Sequence, residues 1–496
     1  MPFPTFCSNQ YNAAYTFVMA FAKLKEFHRK SNAISTGDSR TVTVRNDQVT
    51  ARSAAQLSGR ESLPYIALVT CLFFSWGFAY GLLDSLNSKV QEAFDLTRAQ
   101  SGGLQASYFG AYFLCPLTVS GWILRRFGFK VTFIVGLVVY GIGALMFWPS
   151  SVKHSFGGYC ASMFIVASGL ATLETAADPY ISICGPVKYT EIRLNFAQGF
   201  QGLGGFVAPL IASRVIFKNS EASELSGVQW TYLGVACFVF VLAVIFYFAP
   251  IPEVTDKDME LVVASFGIPE LNDKPFIKQY ALFYGVLAQF SYVGAQVALA
   301  GYFVTYTKDV IPSVSSSHAT DLLAAVQAVY ATSRFIAVGL MHYIKPRYIY
   351  CAYIWACVAF AIAASQTTGS VGVGLYGTVF FFESCCFATI FTSALKGLGR
   401  HTKWGGSMLV SAISGGALFP SLMGLLGDSK GNKMTLVPMC GYVIAGSHAL
   451  FNLTQGRILD WEPRIPVPGE EGNVMSLDEE KAEEFMDEMR AGKTTL

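Results

Sequence analysis

Charge is what this sequence has least of. Only 14% of its 496 residues are charged and 53% are apolar, whereas about a quarter of the residues of a soluble protein are charged. The 35 basic and 33 acidic residues nearly cancel, and a net charge of +2 argues neither for nucleic acid nor for an acidic partner. The composition therefore argues against an ordinary soluble domain, and we expect no nucleic-acid partner.

Residue patterns that carry catalysis or metal chemistry are also missing. The 6 histidines form no cluster, and the 11 cysteines are scattered without metal-site or disulfide spacing, so we interpret them as small packing residues. No glycine-rich phosphate loop ends in lysine and serine or threonine, which excludes a nucleotide-driven pump, and no catalytic triad is visible. We therefore expect no enzyme, no cofactor and no metal ion.

Long apolar runs are what the sequence has instead. A spanning helix needs about 20 such residues, and twelve runs qualify. They are continuous and dotted with glycine rather than alternating, which favours helices over barrel strands. They lie near residues 64–87, 104–124, 130–150, 157–184, 194–216, 229–250, 278–307, 320–342, 348–367, 371–395, 405–427 and 433–455. The sequence thus predicts an all-α polytopic membrane protein with twelve transmembrane helices.

Loop charge and composition predict orientation and domains. Lysine and arginine concentrate in the loops after the even-numbered spans, so the positive-inside rule places both termini in the cytosol. The longest internal connection contains "PIPEVTDKD" and "PELNDKPF", which break the helical pattern. We predict a cytosolic tail at 1–62, six-helix bundles at 63–250 and 278–455, a cytosolic linker at 251–277, and an acidic cytosolic tail at 456–496.

Two basic turns at corresponding places in the two halves form a weak repeat. "GWILRRFGFK" follows span two and "GLMHYIKPR" follows span eight. Parallel repeats are typical of transporters that rock around a site at the membrane midplane, and this one makes Arg125 and Arg126 candidates for structural or gating charges. Either stretch could equally be an ordinary basic loop.

Few ionisable residues lie inside the spans, where each is costly and therefore a functional hypothesis. They are Asp84 in span one, Glu174 and Asp178 in span four, Arg334 in span eight and Glu383 in span ten. We interpret Arg334 as a structural counter-ion, and Asp178, which precedes a proline near a helix end, could be a turn residue. Asp84 and Glu174 lie well inside long apolar runs, so we predict a functional role for both.

A carboxyl held inside a span can carry protons. Burial disfavours its charged form, so it can take up a proton on one side and release it on the other, and it also accepts hydrogen bonds from hydroxyls. Nearby aromatic rings could stack on a sugar or simply pack, and amides could bind a substrate or a neighbouring helix. The aromatics are Trp76, Tyr80, Tyr108, Tyr112 and Tyr292, and the amides are Gln105, Asn195, Gln198, Gln201, Gln289 and Gln296.

Ordered stretches in both halves resemble one known family. They are "LFFSWGFAYGLLDSLNSKVQEAF" at 72–94, "GLATLETAADPYISICGP" at 169–186, "RLNFAQGFQGLGG" at 193–205, "AQFSYVGAQVA" at 288–298, "TIFTSALKGLGRHTKWGGSMLV" at 389–410 and "SGGALFPSLMGLLGD" at 414–428. They resemble spans one, four, five, seven, ten and eleven of the fucose–proton symporters, a branch of the major facilitator superfamily. The resemblance covers about 63–455 and implies two six-helix bundles that move a monosaccharide with a proton by alternating access.

The resemblance also implies residue roles. The acid of the first-span motif falls on Asp84 and that of the fourth-span motif on Glu174, which implies that both take part in proton coupling, with Glu174 close to the sugar. Gln201 falls where the family's bacterial fucose permeases carry an asparagine at the sugar site. The candidate sugar-binding residues are Glu174, Gln201, Tyr80, Gln296, Tyr292, Gln198 and Glu383.

The sequence also departs from the family pattern. Tyr80, Gly81 and Leu83 stand where the bacterial permeases' first span is rich in asparagine. Glu383 adds an acid in span ten, and Arg125 stands where the superfamily's loop motif usually has an acid. Because the side chains that would hydrogen-bond the sugar hydroxyls differ from those of the bacterial permeases, L-fucose, glucose, galactose and other hexoses are all candidate substrates.

Three functional hypotheses follow. The first is a proton-coupled sugar symporter, the second an uncoupled facilitator or exporter on the same scaffold, and the third a membrane sensor that binds sugar and signals through its tails. The costly placement of Asp84 and Glu174 argues for the first. We expect a monomer in the lipid bilayer of the plasma membrane, with a proton and a monosaccharide as its partners and no nucleic acid.

Overall fold

The structure is a computed structural model that describes residues 53–94, 98–211, 226–264 and 274–460. Within those ranges the chain is built from helices joined by short connections, without a β-strand. Ten helical segments there are long and apolar enough to cross a membrane. The prediction of a helical polytopic membrane protein is confirmed. Most of the predicted N-terminal tail and of the acidic C-terminal tail lies outside the described residues.

The helices follow the predicted spans in order. The first half contains α1 Gly59–Phe94, α2 Arg98–Cys115, α3 Gly121–Val152, α4 Phe156–Ile183, α5 Thr190–Ile211 and α6 Ser226–Phe248. A short helix in the predicted linker, α7 Asp256–Ala264, was not expected from the sequence. The second half contains α8 Tyr280–Val310, α9 Ser316–Leu340, α10 Pro346–Gln366, α11 Gly369–Glu383, α12 Cys386–Leu395, α13 Thr402–Ser411, α14 Gly415–Lys430, α15 Leu436–Thr454 and α16 Gly456–Leu459.

Two features reconcile the ten apolar segments with the twelve predicted spans. One segment, Gln105–Val152, has 48 residues, enough for about 72 Å of helix at 1.5 Å per residue, roughly twice the hydrocarbon thickness. Its helical geometry breaks at Gly128 (φ 84°, ψ −175°), so it contains two spans. Helix α5 supplies the remaining one, and its apolar run is interrupted by the amides of Asn195, Gln198 and Gln201.

Several spans are broken near their middle. In span two, a π-helical turn at Pro116–Ser120 separates α2 from α3. In span ten, α11 ends at Glu383 and α12 starts at Cys386. Broken membrane helices release main-chain groups for bonds to side chains and ligands. Here the freed carbonyl of Ser384 accepts a hydrogen bond from Arg334 (2.8 Å).

Helices α1 and α5 approach closely because glycine lines their contact. A Cβ at Gly77 would overlap the main-chain carbonyl of Gln201, and a Cβ at Gly204 would overlap the backbone at Phe74. Small residues allow membrane helices to pack backbone against backbone. This packing fixes α1, which carries Asp84, against the amide-bearing helix α5.

The two predicted bundles are joined at one end, which we name the basic face after its loop residues Arg125, Lys188, Lys345 and Lys396. Lys396 forms an ion pair of 2.8 Å with Glu191 at the start of α5, and both side chains are buried. The Asn195 amide contacts the Met341 sulfur at 3.6 Å. Both contacts join residues of the first predicted bundle to residues of the second.

The linker is also fixed at the basic face. The Glu253 carboxylate accepts main-chain hydrogen bonds from Phe129 (2.8 Å) and Lys130 (2.9 Å), directly after the break at Gly128. These amides begin the second part of α3, where a carboxylate is favoured by free N–H groups and the helix dipole. At α7, Asp256 pairs with Lys403 of the second half (3.0 Å). The linker therefore contacts both bundles.

Candidate functional site

Two acids lie one turn apart on α4, in the interior. Glu174 is 6% exposed and Asp178 is fully buried, and the four-residue spacing places them on one helix face. Within the described residues, Oε2 of Glu174 and both carboxyl oxygens of Asp178 have no hydrogen-bond partner. Glu174 lies well inside the span, as predicted. Asp178 is helical rather than a turn residue, because the proline that follows it is accommodated within α4.

Tyrosines of α2 line the surroundings of Glu174. Tyr112 is buried and interacts electrostatically with Glu174, and its hydroxyl lies 3.4 Å from that of Tyr108. Just past α2, the π-turn is tied to α4 by a 2.7 Å hydrogen bond between the hydroxyls of Ser120 and Thr172. The Glu174 carboxyl is thus held beside phenol rings, on a helix whose neighbour is locally unwound.

Arg334 of α9 links the two halves. Its Nη1 donates to the main-chain carbonyl of Gln198 on α5 (2.7 Å), and its Nε donates to that of Ser384 in the break of span ten (2.8 Å). Nη2 donates to the Tyr330 hydroxyl, one turn away on α9. Arg334 also interacts electrostatically with Asp178. The residue that the sequence suggested as a counter-ion therefore lies at the interface of the bundles.

Glu383 is buried and hydrogen-bonded in the second half. Its side chain is 1% exposed, and its Oε2 accepts a 2.5 Å hydrogen bond from Tyr442 of α15. Its main-chain carbonyl accepts a 2.6 Å hydrogen bond from Tyr292 of α8, and Arg334 acts on its carboxyl electrostatically. Two candidate sugar-binding residues, Glu383 and Tyr292, are thus bonded to protein groups.

The predicted amides occupy three different settings. Gln296 donates to the Tyr330 hydroxyl at 2.5 Å, which joins it to the Arg334 network. Gln198 is 2% exposed, and its side-chain Oε1 has no partner within the described residues. Gln201 is half-buried one turn further along α5. Gln289 of α8 is completely buried with both amide atoms unpartnered in the described part of the chain.

Two of the candidate residues, Tyr80 and Asp84, belong to the first helix. Tyr80 and Asp84 lie within helix α1, but their side chains fall outside the described residues. Helix α1, Gly59–Phe94, includes the whole of the predicted first span at 64–87. Their roles stay predictions.

The two candidate gating arginines of the loop after span two differ in setting. The Arg125 guanidinium lies 3.4 Å from the ring centre of Trp404, on the second half, which is a cation–π contact. Arg126 is exposed. The structure therefore brings Arg125 to the interface of the two halves at the basic face.

Asp178, Tyr330 and Tyr442 are site residues that sequence reasoning missed or set aside. The four-residue spacing from Glu174 was a usable signal for Asp178, because it predicts a shared face. The two tyrosines gave no signal, since buried aromatics at helical spacing are common packing residues. Their partners come from other helices and only the fold shows them.

Chemically, the arrangement combines proton-exchanging acids with hydrogen-bonding groups for a polar ligand. The first half contributes side-chain oxygen atoms of Glu174, Asp178 and Gln198 that have no hydrogen-bond partner within the described residues. The second half contributes Arg334, whose guanidinium donates hydrogen bonds to main-chain carbonyls of both halves. The described residues include no group of three or more His, Cys, Asp or Glu side chains that could hold a metal ion.

Comparisons with known proteins agree with this architecture. The profile of the Major Facilitator Superfamily matches residues 67–420. The L-fucose-proton symporter of Escherichia coli (strain K12) is 30% identical over 423 residues, which cover 80% of this chain and 96% of that protein. The glucose/galactose transporter of Brucella abortus (strain 2308) is 32% identical over 393 residues, covering 77% and 92%.

Solved structures agree as well. A crystal structure of the transporter FucP in the outward conformation matches with a TM-score of 0.70 and 28% identity, covering 79% of this chain and 99% of that one. The proton:xylose symporter XylE, bound to 6-bromo-6-deoxy-D-glucose, matches with a TM-score of 0.61 and 14% identity over 79% and 95%, a likeness of fold alone. The resemblance read from the sequence is confirmed: this chain belongs to the Major Facilitator Superfamily, and to its fucose–proton symporter branch.

Proposed function

We propose that this chain is a proton-coupled symporter of a monosaccharide that works by alternating access. The names of its relatives support the substrate class, since one is an L-fucose-proton symporter and another a glucose/galactose transporter. L-fucose, glucose, galactose and other hexoses are the candidate substrates.

Glu174 is the observation that carries the proposal. It is a buried carboxyl in a membrane-spanning helix, and its Oε2 is unpartnered within the described residues. Such a group is costly unless it has a function. A protonated carboxyl is neutral and can both donate to and accept from a sugar hydroxyl, so proton uptake at Glu174 favours sugar binding. Asp84 on α1 is its proposed coupling partner.

The amides of α5 are the proposed sugar-reading groups. Gln198 offers an unpartnered Oε1, and Gln201 follows one turn later on the same helix. Tyr80 and Gln296 would complete the site from α1 and α8. Glu383 and Tyr292 already form hydrogen bonds inside the second half. We therefore propose that they position the sugar-binding residues and do not contact the sugar.

The basic face is proposed to be cytosolic, with both termini on that side of the plasma membrane, as loop charge favours. The bundles at 63–250 and 278–455 meet there through Lys396 and Glu191, which supports a state closed towards the cytosol. FucP has been solved in an outward conformation. Sugar and proton would enter from outside, and rocking of the bundles would then open the cytosolic path.

The test uses the full chain in proteoliposomes loaded with a pH-sensitive dye and challenged in turn with L-fucose, D-glucose, D-galactose and D-arabinose. We expect one sugar to acidify the lumen in the wild type. Glu174→Gln and Asp84→Asn should abolish this proton movement, because an amide cannot take up a proton in exchange for its charge.

Asp309→Asn is the matched control, since Asp309 is an exposed carboxyl near the end of α8, and it should behave as the wild type. Sugar equilibration without proton movement would replace symport by uncoupled facilitation. Sugar binding without any flux would favour a sensor.

A further inference from the structure

Two buried acids, one from each half of the molecule, interact with the same buried cation. Arg334 acts electrostatically on Asp178 of the first half and on Glu383 of the second, and Asp178 acts on Glu174. A single guanidinium carries one positive charge. Because an uncompensated buried charge is strongly unfavourable, the state in which Asp178 and Glu383 are both ionised around this one arginine favours uptake of a proton by one of them.

The hydrogen bonds around the arginine distinguish the two acids. Glu383 receives a hydrogen bond from Tyr442 at 2.5 Å, which stabilises a carboxylate. Asp178 is fully buried, and neither of its oxygens has a partner within the described residues. The donors of Arg334 go instead to two main-chain carbonyls and to Tyr330. This is the pattern expected when Glu383 holds the negative charge and Asp178 is neutral.

The position of Asp178 suits a relay. It lies four residues beyond Glu174 on α4, about 6 Å along the helix axis at 1.5 Å per residue, in the direction of the basic face. The charged and titratable groups that face it are Glu174 from its own helix and Arg334 from α9. The side chain of Asp84 lies outside the described residues.

We propose that Asp178 is a third proton-exchanging acid of the transport cycle, placed after Glu174, and that Arg334 pairs with it only when it is ionised. The proton leaves the Glu174 carboxyl and forms the new O–H bond on the Asp178 carboxylate. Arg334 is then released from Asp178 and balanced by the Glu383 carboxylate, which stays ionised throughout the cycle, so that the proton passed from Glu174 to Asp178 is the only one that moves. This inference rests on the proposed symport and adds a residue to its proton path.

The cycle follows from separation of the bundles at the basic face. Opening removes Arg334, on the second half, from Asp178, on the first, and admits water to Asp178, which releases its proton to the cytosol. Reclosing brings the Asp178 carboxylate back to the Arg334 guanidinium. A new proton arriving through Glu174 breaks this pair and prepares the next sugar-loaded step. Glu383 thereby serves as the alternative counter-ion.

The experiment compares two modes of transport in proteoliposomes, using whichever of the four sugars moves with protons in the wild type. Proton-driven accumulation needs net proton release, whereas exchange of labelled for unlabelled sugar does not. Asp178→Asn should lower accumulation at least tenfold while leaving exchange within about twofold of the wild type, and Asp178→Glu, which still titrates, should restore part of the accumulation.

Asp178→Asn with wild-type accumulation would overturn the proposal, and so would loss of exchange together with accumulation, which would make Asp178 a gating residue. If the wild type moves sugar without protons, the proposed symport itself fails, and that result is visible without any variant.

Glu383→Gln supplies an independent check on the shared arginine. In the wild-type background it should slow accumulation severalfold and move its optimum to lower external pH, because Arg334 then holds the Asp178 carboxylate more firmly. In the Asp178→Asn background, where no Asp178 carboxylate is left for Arg334 to hold, Glu383→Gln should not shift the pH optimum of the remaining accumulation. Equal effects of Glu383→Gln in both backgrounds would contradict the shared counter-ion.

Discussion

Glu174 and Asp178 of the first half and Glu383 of the second are held in opposite ways, although the amide of Gln289 in the second half also lacks partners among the described residues. In the first half, Glu174, Asp178 and Gln198 keep side-chain oxygens without partners among the described residues. In the second half, Glu383 and Arg334 are bonded to Tyr442, Ser384 and other groups. Since unpaired buried polar atoms cost stability, the first half has the atoms that a ligand or proton can use.

The second half, by contrast, contains a hydrogen-bonded network of Arg334, Ser384, Glu383 and Tyr442, which we call the frame. The interruption of span ten exposes the Ser384 carbonyl, and the guanidinium of Arg334 bonds both to it and to the carbonyl of Gln198 across the interface. A fully satisfied polar network fixes geometry and is costly to disrupt. The difference between the halves predicts that substitutions in the first should reduce transport and substitutions in the second should reduce stability.

The largest expected effect on transport without loss of stability is at Glu174. Glu174→Gln removes a titratable group whose Oε2 is unpartnered, so no hydrogen bond of that oxygen is broken. The initial rate of proton-driven sugar uptake should fall at least 100-fold, while the melting temperature in detergent stays unchanged. A large drop in melting temperature would show that Glu174 is structural and would remove the contrast between the halves.

Arg334→Met should produce the largest loss of stability. It deletes donors to the carbonyls of Gln198 and Ser384 and leaves buried carboxyls without their cation, a change that costs about 3–5 kcal/mol in comparable buried pairs. The free energy of unfolding in detergent should fall accordingly. Arg334→Lys, which keeps the charge but not the planar set of donors, should lose less. Equal stability of Arg334→Met and the wild type would contradict the frame.

Tyr442→Phe tests a single bond of the same frame. It removes the hydroxyl that donates to Oε2 of Glu383 at 2.5 Å, and hydrogen bonds to charged groups contribute about 1.5–3 kcal/mol. Thermal unfolding should occur at a lower temperature. Tyr353→Phe is the matched control, because Tyr353 is also buried in the second half and no hydrogen bond of its hydroxyl is found in the described structure. If both variants melt alike, the Glu383 bond is not stabilising.

Gly77→Ala addresses how the first half holds α1 against α5. The added Cβ would overlap the carbonyl of Gln201, whereas a Cβ at Gly110 of α2 would meet nothing within 4 Å. Overpacking of this kind costs about 1–3 kcal/mol, so Gly77→Ala should lower both stability and transport. Gly110→Ala should change neither. A tolerated Gly77→Ala would mean that α1 and α5 can separate without loss.

Much of the architecture was readable from the sequence because a spanning helix leaves a long apolar run. The twelve spans, the family and the buried position of Glu174 all follow from local patterns. The turn reading of Asp178 failed because a proline inside α4 is tolerated, where a local rule expects a helix boundary. The bonds of Arg334 to Gln198 and Ser384 come from residues far apart in the chain, so only the packed fold places them together.

Sugar accumulation at a series of imposed pH gradients tests the central claim most directly. Wild-type proteoliposomes, clamped at zero membrane potential, would be supplied with the transported hexose at fixed concentration and an outside medium of decreasing pH. One proton per sugar stores about 1.4 kcal/mol per pH unit, or tenfold in concentration. The account predicts that the inside-to-outside sugar ratio rises up to tenfold per pH unit. A ratio that stays at unity across all gradients would contradict proton coupling.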